Sequence, residues 1–99
     1  MNPQARFSEK REINNHIFRL DEGHFILDTV HNRNLLLNTT SPRYYAGADA
    51  YGNRWYSRTG LLGSQLWVRT RNGIITDGGF NFVERAWDPI SGFCNRPRK

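Results

Sequence analysis

Hydrophobic positions follow two different rhythms along this chain. In the first part they recur at helical spacing. Ile13, Ile17 and Leu20 fall at i, i+4 and i+7 and form one stripe. Ser8 precedes them as an N-cap, Glu9 sits in the first turn, and Gly23 suits the residue that ends a helix. The spacing predicts a helix over residues 9–22. A short, mostly apolar connector, His24 to Asp28, follows. Asp28 or Thr29 then caps a second helix running to about Asn38, with Val30, Leu36 and Leu37 as its buried side. The turn-rich stretch Asn38 to Arg43 stops it.

After Arg43 the rhythm changes to that of strands. Asp49 to Gly52 reads as a turn, Asn53 to Arg58 as a strand, and Thr59 to Gly63 as a chain reversal. Gln65 to Arg71 is the second strand, and Asn72-Gly73 is a strong two-residue hairpin signal. Ile74 to Thr76 continues as a third strand, Asp77 to Gly79 as a turn, and Phe80 to Glu84 as a fourth strand. Strand alternation in the second strand puts Leu66, Val68 and Thr70 on a core face. It puts Gln65, Trp67, Arg69 and Arg71 on the other, an amide, an indole and two guanidiniums in a row. The expected architecture is α+β, with N-terminal helices packed on a four-stranded antiparallel sheet. Residues 1–7 are expected to be a flexible lead-in and residues 85–99 a basic tail containing Trp87, Pro89 and Phe93.

Size and composition narrow the class. The 99 residues suit one domain, 1–99, able to bury roughly 60–70% of its unfolded surface. Mean hydropathy is −0.72, but the 13% aromatic content opposes disorder. The net charge is +5, and only Lys10 and Lys99 among the basic residues are lysines. Arginine suits bidentate phosphate contacts and stacking on bases, so this bias points to a polyanion more than basicity alone does. The single cysteine, Cys94, allows no internal disulfide and has no neighbouring base to activate it. No zinc-ligand spacing, no signal peptide at Met1 to Ala5, and no apolar run near the roughly 20 residues of a membrane span is visible.

Two groups of residues carry candidate chemistry. Between Tyr51 and Thr76 lie Arg54, Arg58, Arg69 and Arg71 and no acidic residue. Clustered guanidiniums repel unless an anion lies among them, although a solvated face with partners such as Asp49 or Asp77 would also suffice. Among the histidines, His16 and His31 fall within helices and read as surface residues, while His24 follows Gly23 at the entrance to a cleft between helices and sheet. Metal-free RNA cleavage needs a base for the ribose 2′-OH, a cation for the phosphorane and an acid for the leaving oxygen. His24, Tyr56, Arg58, Arg69 and Thr76 can fill those roles, with Gln65, Trp67, Arg71, Arg54 and Asn81 holding RNA. Trp67 suits either base stacking or a half-buried strand position, and Asp28 suits either orienting His24 or capping a helix. The scarcity of paired carboxylates on the strands argues against a metal-dependent DNase, and no metal or cofactor is called for.

The motif set Gly23-His24, Asp28-Thr29, Asn32-Arg33, Gly47-x-Asp49-x-x-Gly52-x-x-Trp55-Tyr56, Gly63-x-Gln65-x-Trp67-x-Arg69-x-Arg71-Asn72-Gly73-x-Ile75 and Gly78-Gly79-x-Asn81 resembles the C-terminal toxin domains of bacterial polymorphic toxins, including contact-dependent growth inhibition effectors. The resemblance covers roughly residues 22–82. It implies the barnase, EndoU, colicin tRNase and RelE-like ribonuclease class, with metal-independent cleavage of RNA, often tRNA. It also implies a cognate immunity protein, expected to be acidic, and action in a target bacterium's cytoplasm after delivery by a secreted or cell-surface effector. The pattern's histidine falls on His24, and its strand positions on Tyr56, Gln65, Trp67 and Arg69. Val30 stands where relatives carry proline, a departure that touches only helix initiation. Two other readings of the same basic aromatic face are a non-catalytic RNA-binding module and a module that docks an acidic protein.

Overall fold

A computed structural model describes residues 5–19, 21, 23–24 and 27–93 of the chain. Its elements run β1 (Arg6–Phe7), α1 (Arg11–Ile17), α2 (Val30–Thr39), a 3-10 turn at Pro42–Tyr44, β2 (Tyr45–Ala48), β3 (Arg54–Thr59), β4 (Gln65–Arg71) and β5 (Ile74–Asn81). The strands form one mixed sheet in the order β1-β5-β4-β3-β2. β2 to β5 are antiparallel neighbours, and β1 pairs in parallel with the start of β5. The α+β class expected from the sequence is present, but the sheet has five strands and mixed direction rather than four antiparallel strands. Among the described residues, no helix is long and apolar enough to cross a membrane.

Local chemistry explains several boundaries. The Thr29 hydroxyl accepts a hydrogen bond from Asn32 N at 3.0 Å and caps α2. Asp28 is held by Arg33, whose Nε and Nη2 each donate to its carboxylate at 2.6 Å. That hydrogen-bonded pairing keeps the Asp28 carboxyl below its usual range. Asp28 therefore fastens the entry to α2 and does not orient His24. Asn72 and Gly73 both have positive φ, 52° and 77°, as a two-residue turn between β4 and β5 requires.

The two faces of the sheet carry different cores. On one, Ile17 of α1 and Leu36 of α2 pack on Val68 and Ile75, with Phe7, Phe18 and Tyr56 around them. On the other, Trp55 and Trp67 stack at 5.6 Å, and Phe93 and Trp87 from the chain after β5 cover them. Asp49 locks this second core from the β2–β3 turn. It accepts hydrogen bonds from Trp55 Nε1 at 2.8 Å, Asn53 Nδ2 at 3.0 Å, and the Tyr51 and Asn53 backbone at 2.9 and 3.0 Å. Burial pushes its carboxyl upward, but these four donors outweigh burial and hold it at about 2.

Several sequence expectations are corrected. The helix expected over 9–22 spans only Arg11–Ile17; Leu20 and Glu22 lie outside the described residues. Its N-cap is Lys10, and Ser8 instead accepts from Lys10 N at 3.0 Å. Val30 opens α2 with 77% exposure, because the helix buries the turn containing Leu36 rather than its first residue. The lead-in contributes β1, although Met1 to Gln4 lie outside the described residues. Asp77 to Gly79 makes no turn. β5 runs straight through it, since both glycines accommodate close packing: a Cβ at Gly78 would press on Leu36 and the Trp67 carbonyl, and one at Gly79 would overlap the Gly23 carbonyl. The basic tail is in part structural. Arg85 to Phe93 lie against the sheet, closed by paired hydrogen bonds between Asp88 and Gly92, while Cys94 to Lys99 lie outside the described residues.

Replacing Asp49 by Ala leaves the Trp55 indole N–H buried without its acceptor and is expected to lower unfolding free energy by roughly 2–4 kcal/mol in urea titrations. Because the folded carboxyl sits below its ordinary 3.8, its contribution is complete above that pH and is lost as pH falls toward about 2. The acid limb of the wild-type stability curve should therefore flatten in the variant.

Candidate active site

The site is built where the chain between the helices crosses β5. Gly23, at φ 87°, turns its carbonyl onto the sheet, where it accepts from Phe80 N at 2.9 Å and from Trp67 Nε1 at 3.0 Å. Its neighbour His24 then sits over β5 with its ring edge-on to Trp67, centroids 5.6 Å apart. A β-bulge decides what faces it. Arg69 pairs with Asp77, but Thr70 pairs with Ile75, so Thr76 is an extra residue in β5. Without the bulge Ile75 and Asp77 would point to the same side. With it, Ile75 enters the helix-side core and Asp77 turns to the other face, beneath the histidines.

Four side chains close into a ring there. Asp77 Oδ2 is 3.3 Å from His16 Nε2, and Asp77 Oδ1 is 3.6 Å from His24 Nδ1. Arg19 completes the circuit from the other side, with Nη1 3.2 Å from His16 Nδ1 and Nη2 3.2 Å from His24 Nε2. A guanidinium only donates, so the ring nitrogens facing Arg19 accept. His24 Nδ1 then carries its hydrogen and donates to the Gly78 carbonyl at 3.0 Å. The two imidazoles meet edge to face, 5.7 Å apart. His24 is nearly enclosed, with 9% of its side chain exposed, whereas His16 at 46% and Arg19 at 39% open the ring to solvent.

Burial favours the neutral form of His24 and lowers its pKa from 6.5, with Arg19 acting in the same direction against the attraction of Asp77. Arg19 Nε is buried and lies 3.3 Å from Asp21 Oδ2 without a hydrogen bond along its N–H. Chemically, the ring presents two imidazoles, a carboxylate that orients them and a partly exposed guanidinium that now covers their lone pairs. Among the described residues, no group of three or more His, Cys, Asp or Glu side chains is arranged to hold a metal ion.

The sequence-predicted set is divided by the sheet. His24, Gln65, Trp67, Arg69 and Asn81 share the face of the ring, by register across β3, β4 and β5. Arg54, Tyr56 and Arg58 pair with Thr70, Val68 and Leu66 and belong to the helix-side face. Tyr56 packs against the apolar core, and Arg58 lies over the Tyr44 ring at 5.3 Å. Arg58 therefore does not join Arg69 or Arg71. Gln65 and Asn81 are buried and bonded to each other, Asn81 Nδ2 donating to Gln65 Oε1 at 3.0 Å. Trp67 is 5% exposed and its indole N–H is used, so it offers no stacking surface. Arg69 lies over Trp55 at 5.8 Å, and its Nε donates to Thr76 Oγ1 at 2.9 Å, which places both beside Asp77. Arg71 is exposed at the hairpin end of β4.

His16, Arg19 and Asp77 were not legible as site residues. His16 and Arg19 are three apart, one helical turn, which is a signal that they share a side. Asp77 carried no such signal, because its sequence context reads as a turn. No protein-family model, curated protein or solved structure matches this chain.

The lowered pKa of His24 has a defined consequence. Between that pKa and 6.5 the unfolded chain binds more protons than the folded one, so stability should fall as pH drops below 6.5. Imidazole NMR titration should give a His24 midpoint under 6.5; a midpoint above it would mean that Asp77 outweighs burial.

Proposed function

We propose that this domain is a metal-independent ribonuclease and that the ring of His16, Arg19, His24 and Asp77 is its active site. The observation that carries this reading is the pairing of two imidazoles 5.7 Å apart with a guanidinium that contacts both. Cleavage by 2′-OH attack calls for that set: a base, an acid and a fixed cation. An incoming phosphate competes for Arg19, draws its guanidinium onto the phosphoryl oxygens and frees the lone pairs it covers. His24, favoured in its neutral form, takes the 2′-hydroxyl proton as O2′ bonds to phosphorus. His16, oriented by Asp77, serves as the acid that gives a proton to the 5′-oxygen as the P–O5′ bond breaks. The products are a 2′,3′-cyclic phosphate and a 5′-hydroxyl.

Arg69, register partner of Asp77, and exposed Arg71 extend a basic surface along β4 for the RNA backbone. Thr76 holds Arg69 in place. The buried Gln65, Trp67 and Asn81 support the site from beneath. The α+β layout is compatible with a barnase, EndoU and RelE-like scaffold. The resemblance of the sequence motifs to contact-dependent growth inhibition toxins suggests the setting. In that setting the substrate is RNA, in particular tRNA, in a neighbouring bacterium's cytoplasm, and the partner is an acidic immunity protein.

The test is incubation of purified protein with total RNA and tRNA, followed by end mapping. Wild type should leave 2′,3′-cyclic phosphate ends in EDTA, and His24→Ala or His16→Ala should slow cleavage by about 10²–10⁴-fold with the fold intact. Binding without cleavage would leave an RNA-binding module. Loss of cleavage in EDTA, restored by Mg²⁺, would replace the proposed chemistry with a metal-dependent one.

A further inference from the structure

A cavity of about 450 Å³ opens on the same sheet face as the histidine ring, between β2, β3 and the segment that follows β5. Its walls include Ala46, Ser57, Arg85, Ala86, Trp87 and Phe93. Ser57 is opposite Trp67 in the sheet, and Trp67 is opposite Gly79, the residue on which Gly23 rests. The cavity is therefore about two strand spacings, ~10 Å, from the chain that carries His24.

Arg85 connects the two places. Its backbone N donates to Gln65 Oε1 at 3.2 Å, so the buried amide of β4 fixes where the residue starts. Its guanidinium reaches back toward the ring, with Nη2 3.6 Å from the position a Cβ on Gly23 would occupy. Among the described residues no carboxylate pairs with that guanidinium. A half-buried cation with no paired carboxylate among the described residues, beside a polyanion-cleaving site, suits a phosphate contact. Beyond it the walls become aromatic: Trp87 and Phe93 meet edge to face at 5.2 Å. Trp87 is braced on Gly47, where any Cβ would collide with its ring. Polar groups at the rim, Ser57 and Glu84, can meet the hydrogen-bonding edge of a base.

We infer that this cavity is a nucleotide subsite for single-stranded RNA, with Arg85 holding a phosphate adjacent to the scissile one and the half-buried Trp87, backed by the buried Phe93, receiving the neighbouring base. The inference rests on the ribonuclease reading for its substrate class. An unpaired strand can splay a base out of its stack into an apolar pocket, and aromatic walls accept any base face. A duplex cannot do this without opening, so the subsite selects loops and single-stranded ends.

A fluorescein-labelled 2′-O-methyl oligoribonucleotide cannot be cleaved by 2′-OH attack and reports binding alone by anisotropy. Two variants probe the subsite. Arg85→Gln removes the cation, and Ala86→Trp fills the cavity from an exposed position without removing a packed side chain. Both should keep the wild-type melting temperature and weaken binding about tenfold. Arg85→Gln should also reduce the slope of log Kd against log salt by about 0.7, one phosphate contact on a single strand. No binding by wild type, or wild-type affinity in both variants, overturns the subsite. If wild type binds and the variants weaken while natural RNA is never cut, the subsite stands and the ribonuclease reading falls. If RNA is cut and the variants bind as wild type, the subsite falls alone.

Discussion

The contact between the Gly23 carbonyl and β5 is the constraint on which the rest of the molecule depends. One oxygen accepts the Phe80 amide and the Trp67 indole, at 2.9 and 3.0 Å. It does so only because residue 79 has no side chain to displace it. The contact fixes three things together. It covers the outer edge of β5 beyond the two residues paired with β1. It orients Trp67 in the aromatic core. It also suspends His24 over Asp77, with the ring donating to the Gly78 carbonyl. Any shift of this crossing would move the edge, the core and the catalytic candidate as one unit.

The bulge at Thr76 is the second half of the same arrangement. A regular strand would keep Ile75 and Asp77 on one side of the sheet and place either a carboxylate in the helix-side core or an isoleucine beneath the histidines. The extra residue separates them. Each then faces surroundings that suit it, apolar for Ile75 and polar for Asp77. Thr76 is not idle in this role, since its hydroxyl accepts from Arg69 Nε and donates back to the Arg69 carbonyl, at 2.9 and 3.3 Å. The bulge thus positions a carboxylate and an arginine beside each other without pairing them, which leaves Asp77 for the imidazoles.

What could be read from the sequence was whatever local chemistry decides. The Asn72-Gly73 turn, the span Gln65 to Arg71 and the Thr29 cap follow from positive-φ tolerance, period-two alternation and a side-chain acceptor. Features set by distant partners could not be read. The pair Gly78-Gly79 carries the composition of a turn, but its glycines answer to Leu36 and Gly23, far away in the chain. β1 is only two residues long and exists because β5 offers an edge. The catalytic candidate shows both cases. His24 was legible beside Gly23, although that glycine ends no helix, whereas His16, Arg19 and Asp77 join it only through the crossing and the bulge.

The odd outer face of β4 is explained by the same logic. An amide and an indole beside two guanidiniums suggested a row turned toward RNA. In the fold, Gln65 is spent on Ser57, Asn81 and the Arg85 backbone, and Trp67 on Trp55 and Gly23. That face is an adhesive layer, which binds the Gly23 crossing on one side and the segment from Arg85 to Phe93 on the other. The layer holds up the groups of the proposed sites: the histidine ring above β5, Arg85 reaching from Gln65 toward Gly23, and Trp87 against Gly47. The strand specifies the site by anchoring it and leaves the contacts to the segments it anchors. A substitution at Gln65 would therefore act at a distance, through the positions of Asn81 and Arg85 that its amide fixes.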